Sequence, residues 1–386
     1  MPITRISVGS QRFDQLRRKH EAFWRRSPAG YLAAVNVFAP SAPVRLPQPD
    51  GRVITHADRL TPEMIYPEEI IAETWAWDPE GPNALLRAKE GVLAYPGVGD
   101  LMPFSRAFFK IPWLEAMLGC PITMTEGQIW VEPYPGDPMA LVEQGVAPDN
   151  PWLELYVEFL QKLQTALSPL YAPSTNTLFR GPSDLVAALL GVKETCMGWL
   201  DQPARMAKLM RLCTDVHLMA VEAGYAVMEP FQGGYMNGYG VWAPGPVTRM
   251  QADHSTLCSP DLYATHILPY DLEIIQACPY CLFHIHNNGY HIAPQLIEID
   301  ELDAIEVVVD PYPTGARKAH EVEMMQLIQT RKPLMVDANF PSYAEAEWML
   351  NQLDRAGLYF NMQFDPATLA TLSSDMPKRE VWLLAD

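Results

Sequence analysis

Along the chain, short apolar runs of strand length alternate with longer stretches in which apolar residues recur every three or four positions, the two periods of strand and helix. The strand-like runs fall at residues 31–38, 122–131, 177–180, 233–239, 280–286, 305–309, 334–336 and 358–362, eight in all. Helical spacing is found at 12–26, 152–166, 203–228, 260–276, 319–330 and 343–356. Residues 39–51 hold four prolines and few large apolar side chains, so they read as a loop. Strands separated by helices imply right-handed parallel crossovers, and eight of them close most economically into a barrel. The expected fold is therefore α/β, a (β/α)8 TIM barrel with an N-terminal helical extension that caps the barrel floor. An open doubly wound sheet is the competing architecture. No repeat or composition shift marks a second domain, so residues 1–386 read as a single barrel domain.

Composition narrows the classes of function. With 48% hydrophobic and 19% charged residues the chain has material for a large core. A formal net charge of -18 repels polyanions, which argues against nucleic acid and anionic membranes as partners. No apolar run approaches the roughly 20 residues that span a bilayer, and residues 1–19 are polar where a signal peptide would be apolar. The expectation is a cytoplasmic protein. Six cysteines, Cys120, Cys196, Cys213, Cys258, Cys278 and Cys281, are scattered and read as free thiols. Cys278-Pro-Tyr-Cys281 has redox spacing, but it runs into a strand and lacks the following helix that would stabilise a thiolate.

The segment Cys281-Leu-Phe-His284-Ile-His286-Asn287-Asn288-Gly289 carries the strongest chemical signal. Side chains two apart on a strand share a face, so His284 and His286 point together, and the Asn-Asn-Gly turn puts them at the carboxyl end where barrel enzymes build their sites. Two such imidazoles can share a metal ion, or one can act as general acid or base while the other holds substrate; backbone hydrogen bonding alone is the bland alternative. Asp253, in Gln251-Ala-Asp253-His254-Ser255, is a candidate catalytic carboxylate or a turn cap. Tyr235, Asn237 and Trp242 accompany glycines and suit a pocket wall for a small-molecule substrate, which Asn287 would join from the turn. Asp310 and Asp337 follow β-rich runs and are either mouth-facing carboxylates or helix caps. Arg180, at the end of the third strand, either clamps a substrate carboxylate or pairs with a neighbouring acid.

Four stretches together resemble the uroporphyrinogen decarboxylase-like superfamily: Phe179-Arg-Gly-Pro-Ser-Asp-Leu-Val-Ala-Ala-Leu-Leu-Gly191, Asp253 through Cys258-Ser-Pro-Asp-Leu-Tyr263 to Leu268-Pro-Tyr270, the His284 strand with residues 304–310, and Ile111-Pro-Trp-Leu-Glu-Ala-Met-Leu-Gly-Cys120. The resemblance implies a TIM barrel, a homodimer, and one of two chemistries. Residues 1–41 have arginines but no run matching the motif that receives porphyrinogen carboxylates in the decarboxylase branch. The methyltransferase branch, which moves methyl groups between corrinoid proteins and thiols or other acceptors, binds zinc through His-x-Cys and a later cysteine. Here His284 and His286 occupy the matching positions and no cysteine follows Cys281, so a zinc site needs an oxygen ligand from Asp253, Asp310 or Asp337. The leading expectation is a methyltransferase-like enzyme with a divalent metal on His284, His286 and an acid such as Asp310, with Asp253 orienting or deprotonating a group, and with a corrinoid protein as partner. A cofactor-free decarboxylase of a small aromatic or heterocyclic acid, with Arg180 holding the carboxylate, and a non-catalytic ligand-binding barrel are the rivals.

Overall fold

In a computed structural model that describes residues 10–37, 43–77, 98–100, 102, 104–107, 110–167, 172–174, 179–365 and 368, the β-branched and apolar runs assemble into one dominant sheet. Its strands are β1 (Leu32–Val37), β2 (Val98–Gly99), β3 (Val247–Gln251), β4 (Tyr280–His286), β5 (Ala304–Val309), β6 (Leu334–Asn339) and β7 (Leu358–Phe364). The order is β3-β4-β5-β6-β7-β1-β2; the first six are parallel and β2 is an antiparallel edge. A second sheet joins Trp242–Ala243, Tyr235–Met236, Ala172–Ser174 and Phe104–Arg106. The class is thus mixed α/β with a central six-stranded parallel sheet.

Each face of that sheet has its own core. Phe283, Ile285, Ile305, Val307, Leu334, Val336, Leu358 and Phe360 turn to the helical side and join the main apolar cluster with helices such as Pro151–Leu167 and Pro203–Val227. Each such side chain contributes on the order of 1.5–3 kcal/mol by leaving water. On the opposite face Leu282, Ala304, Met335, Tyr359, Leu32 and Ala34 meet Phe23 and Trp24 from the end of the helix Ser10–Trp24. That helix is tied down by polar bonds as well: Trp24 Nε1 donates to the Trp242 carbonyl (2.8 Å) and the Trp242 N–H to His20 Nδ1 (3.1 Å). The N-terminal helix therefore closes the apolar, amino-terminal part of this face, leaving polar residues toward the carboxyl ends of the strands.

Several expected elements differ. The run at 122–131 is a hairpin, Ile122–Thr125 against Gln128–Val131, because Glu126-Gly127 turns the chain back with both residues at positive φ. Of the run at 177–180, only 179–180 lie within the described residues, and they are not strand; 233–239 shrinks to Tyr235–Met236 in the small sheet. The loop at 39–51, described from residue 43, includes Leu46–Pro47 paired with Val53–Ile54. The helix at 260–276 is interrupted by a wider turn at Tyr263–Ile267, since Pro269 has no N–H to bond back to Thr265. β3 has no counterpart among the expected strands.

One buried histidine in the helical layer gives a pH prediction. His217 is fully buried, its Nδ1 3.1 Å from the Arg180 carbonyl, and burial lowers its pKa from 6.5 to about 4. Between these values the unfolded chain takes up the proton and the folded one does not, so this residue's contribution, complete above pH 6.5, is lost as pH falls to about 4. Urea unfolding of His217→Asn, whose amide can keep the Arg180 bond, should lack this acid loss, a difference on the order of 3 kcal/mol between pH 7 and 4.

Candidate metal centre

His284 and His286 lie on the face of β4 turned away from the helical core, two residues apart with Ile285 turned to that core between them. Their rings stand edge to face, centroids 4.8 Å apart. Asp253 arrives from the end of β3, which is hydrogen-bonded to β4 with Gln251 opposite His284, so the carboxylate starts two residues beyond the strand and meets both rings. Its Oδ1 is 3.6 Å from His284 Nε2 and 4.0 Å from His286 Nε2. These separations are too long for hydrogen bonds, and Oδ1 has no such partner among the described residues. Atoms about 2.0–2.2 Å from one tetrahedral ion lie about 3.3–3.6 Å apart, which the His284 separation matches and the His286 separation exceeds by about 0.4 Å. Asp253, His284 and His286 are the one group of three acids, histidines or cysteines among the described residues with ligand atoms mutually within 4.8 Å, a candidate metal-binding triad.

Outer partners orient both kinds of ligand. His284 Nδ1 lies 3.1 Å from Glu306 Oε2 on β5, which also accepts from Arg249 Nε of β3 at 2.8 Å. Burial works against charging Glu306, but Arg249 and His284 outweigh it and hold the carboxyl down at about 2. An ionised Glu306 can only accept, so Nδ1 must carry the proton and Nε2 presents its lone pair to the triad. Burial, with the Arg249 charge, also lowers the pKa of His284, which keeps the ring neutral and able to ligate. Arg249 further donates to Gln251 Oε1 (2.6 Å), and Gln251 Nε2 to Asp253 Oδ2 (2.9 Å), leaving Oδ1 free to face the histidines. The Arg249 guanidinium lies over the Tyr239 ring at 3.7 Å. His284 is 5% exposed, whereas His286 is 32% and Asp253 42% exposed, so the triad is anchored on one side and open to small molecules on the other.

The segment that follows β3 is held from outside the sheet. Gly181 sits where any side chain would strike the Gln251 carbonyl, its Cβ only 1.9 Å from that oxygen, and this close approach brings the helix Pro182–Leu190 onto the end of β3. Asp184, in the first turn of that helix, accepts from the backbone N–H groups of Asp253 (3.3 Å) and His254 (2.6 Å).

The remaining sequence candidates have other positions. Asp310 is exposed beyond β5 and is not one of the three grouped ligands. Asp337 is half-buried on β6, opposite Val308 of β5, and accepts from Gln363; burial, then the charge of Glu306, raises its pKa to about 7. Arg180 pairs with the buried Glu115 at 3.2 Å, the structural alternative for that residue. Asn237 is fully buried and its Oδ1 caps the turn by accepting from Tyr239 and Val241 N–H (2.9 and 3.0 Å). Trp242 is buried with Nε1 donating to the Phe231 carbonyl, and Tyr235 packs edge-on against Tyr225. Asn287 Nδ2 bridges the Pro311 carbonyl and Glu321. All six cysteines are free, and burial pushes Cys278 up to about 12 and Cys281 well above its ordinary value, so the Cys-x-x-Cys pair lacks the thiolate a redox motif requires.

Sequence reasoning passed over Arg249, Glu306 and Asp184. Glu306 did carry a signal, as the lone charge inside the run Ala-Ile-Glu-Val-Val-Val, where a carboxylate is affordable only with partners. Among the described residues no helix is long and apolar enough to cross a membrane. Comparison with protein-family models finds no match, and comparison with curated proteins finds none.

Proposed function

We propose that this chain is a divalent-metal-dependent enzyme, a (β/α)8 barrel of the uroporphyrinogen decarboxylase-like superfamily, in which Asp253, His284 and His286 hold zinc and a methyl group passes between a small substrate and a corrinoid or thiol carrier. The observation that carries the reading is the convergence of Asp253 Oδ1 and the two histidine Nε2 atoms, with Glu306 and Gln251 bonded behind them. Three protein ligands around an open side are the pattern of catalytic zinc sites, and a carboxylate behind a ligating histidine is its usual outer partner. The barrel is supported by chain order: Leu32–Val37, Phe104–Arg106, Ala172–Ser174 and β3 to β7 make eight strands with helices between them.

A bound divalent ion would supply Lewis acidity toward a substrate heteroatom. Around it, Glu306 keeps the proton of His284 on Nδ1, Asp253 contributes the negative charge, and the half-exposed His286 edge lies where a substrate enters. The nitrogen and oxygen ligand set is harder than a thiolate set, which favours activating an oxygen-bearing methyl donor over a thiol. Pairing of Arg180 Nε with Glu115 supports a structural role for this residue over the carboxylate clamp that the decarboxylase alternative requires.

Purified protein grown with zinc, cobalt and iron supplied should contain about one equivalent of divalent metal. Zinc-loaded protein should methylate cob(I)alamin from small methoxylated donors, read as the absorption change to methylcobalamin, and a chelator should abolish this. Absence of stoichiometric metal would end the metal-centred reading, and carbon dioxide release from aromatic acids without metal would install the decarboxylase in its place.

A further inference from the structure

We infer that Asp184 is a positioning residue of the metal centre, setting metal affinity by clamping the backbone from which Asp253 reaches the histidines; the inference rests on the metal-binding reading above. An acid in the first turn of a helix ordinarily serves the free N–H groups of its own helix. The bonds of Asp184 run elsewhere: both carboxylate oxygens are used across 69 and 70 residues, on the N–H groups of Asp253 and His254. Asp184 is 5% exposed, and a carboxylate is buried at such cost only where donors hold it in a set place.

That place matters because Asp253 lies outside the ladder. β3 ends at Gln251, and without a clamp the following residues would be free to swing away from β4. At Asp253 and His254 they are held by the two Asp184 bonds, by Gln251 Nε2 on Asp253 Oδ2, and by Thr256 Oγ1 on the Asp253 carbonyl at 2.8 Å. The Asp184 bonds tie the backbone of residues 253 and 254 to the helix that Gly181 allows against β3, while His291 Nε2 meets the Ser255 carbonyl further along at 3.0 Å. A second carboxylate directly behind Asp253 is also electrostatically costly, and a cation on the far side of Asp253 offsets it.

The test uses the full chain, with zinc and cobalt(II) as probes. Asp184→Asn keeps the shape and one acceptor oxygen but gives up one of the two amide bonds. It should bind zinc at least about tenfold more weakly than wild type in competition with a chromophoric chelator, within the 10–100-fold range of outer-shell changes. At saturation its cobalt(II) visible spectrum should differ from that of wild type, a change that a purely structural role would not produce. Asp184→Ala should lose more affinity than Asp184→Asn, and if it fails to fold the asparagine variant decides. Wild-type affinity and spectrum in Asp184→Asn would overturn the inference while leaving the metal centre standing; a wild-type protein that binds neither ion would overturn both.

Discussion

Replacing His284 with alanine is expected to weaken zinc binding by more than about a hundredfold, beyond what loss of an outer-shell partner does, and to abolish metal-dependent turnover. His284 is the ligand with the most invested in its orientation: it is buried, its Nδ1 is taken by Glu306, and its Nε2 faces Asp253. Removal leaves Asp253 and His286, both partly exposed, with no other histidine, cysteine or acid grouped with them among the described residues. His286→Ala should also lose the metal, but with little effect on urea stability, since its ring is half-exposed and serves no described hydrogen bond. Chelator competition on the two variants, alongside urea unfolding, separates ligation from packing. Wild-type zinc affinity in His284→Ala would remove the imidazole from any metal role.

Arg249→Met should cost on the order of 3–5 kcal/mol, the largest loss of stability expected of any single substitution near the site. Arg249 and Glu306 are 3% and 0% exposed, bonded at 2.8 Å, and the guanidinium is the principal reason the Glu306 carboxyl stays ionised at about 2 against its own burial. Without it a buried carboxylate lies uncompensated or takes up a proton. The pH signature follows in sign: the stability from a depressed Glu306 is present above its ordinary value near 4.5 and lost as pH falls through about 2, and Arg249→Met should lack that acid-side loss. The double variant Arg249→Met/Glu306→Leu should recover much of the stability, because buried ion pairs are often replaceable by apolar pairs. It should not recover zinc affinity, because His284 would have lost the acceptor that holds its tautomer. Recovery of both would show that Glu306 acts on folding alone.

The candidate site was partly legible in the order of residues. A strand makes every second side chain share a face, so His284 and His286 had to point together once 280–286 was read as strand, and Asn287-Asn288-Gly289 put them near its carboxyl end. β3 escaped because Arg249 and Gln251, the residues it places beside His284, are polar; the five-residue run Val-Thr-Arg-Met-Gln offers no apolar face to read. Likewise Asn237 and Trp242 looked like a pocket wall from their composition, while their hydrogen bonds assign them to a turn and a buried contact.

What the sequence determined by itself was local and periodic: the alternation of β-rich and helical segments, the N-terminal helix, the shared face of two imidazoles, an acidic chain with scattered thiols. Choosing Asp253 over Asp310 as the third member of the triad, pairing Arg249 with Glu306, and setting Asp184 behind residues 253 and 254 were decisions of tertiary structure alone. The reason is physical. Those contacts join residues 31 to 70 positions apart, and the first two exist only because parallel pairing sets β3 beside β4 and β4 beside β5 in one register; a slip of one residue would turn His284 and Glu306 to opposite faces.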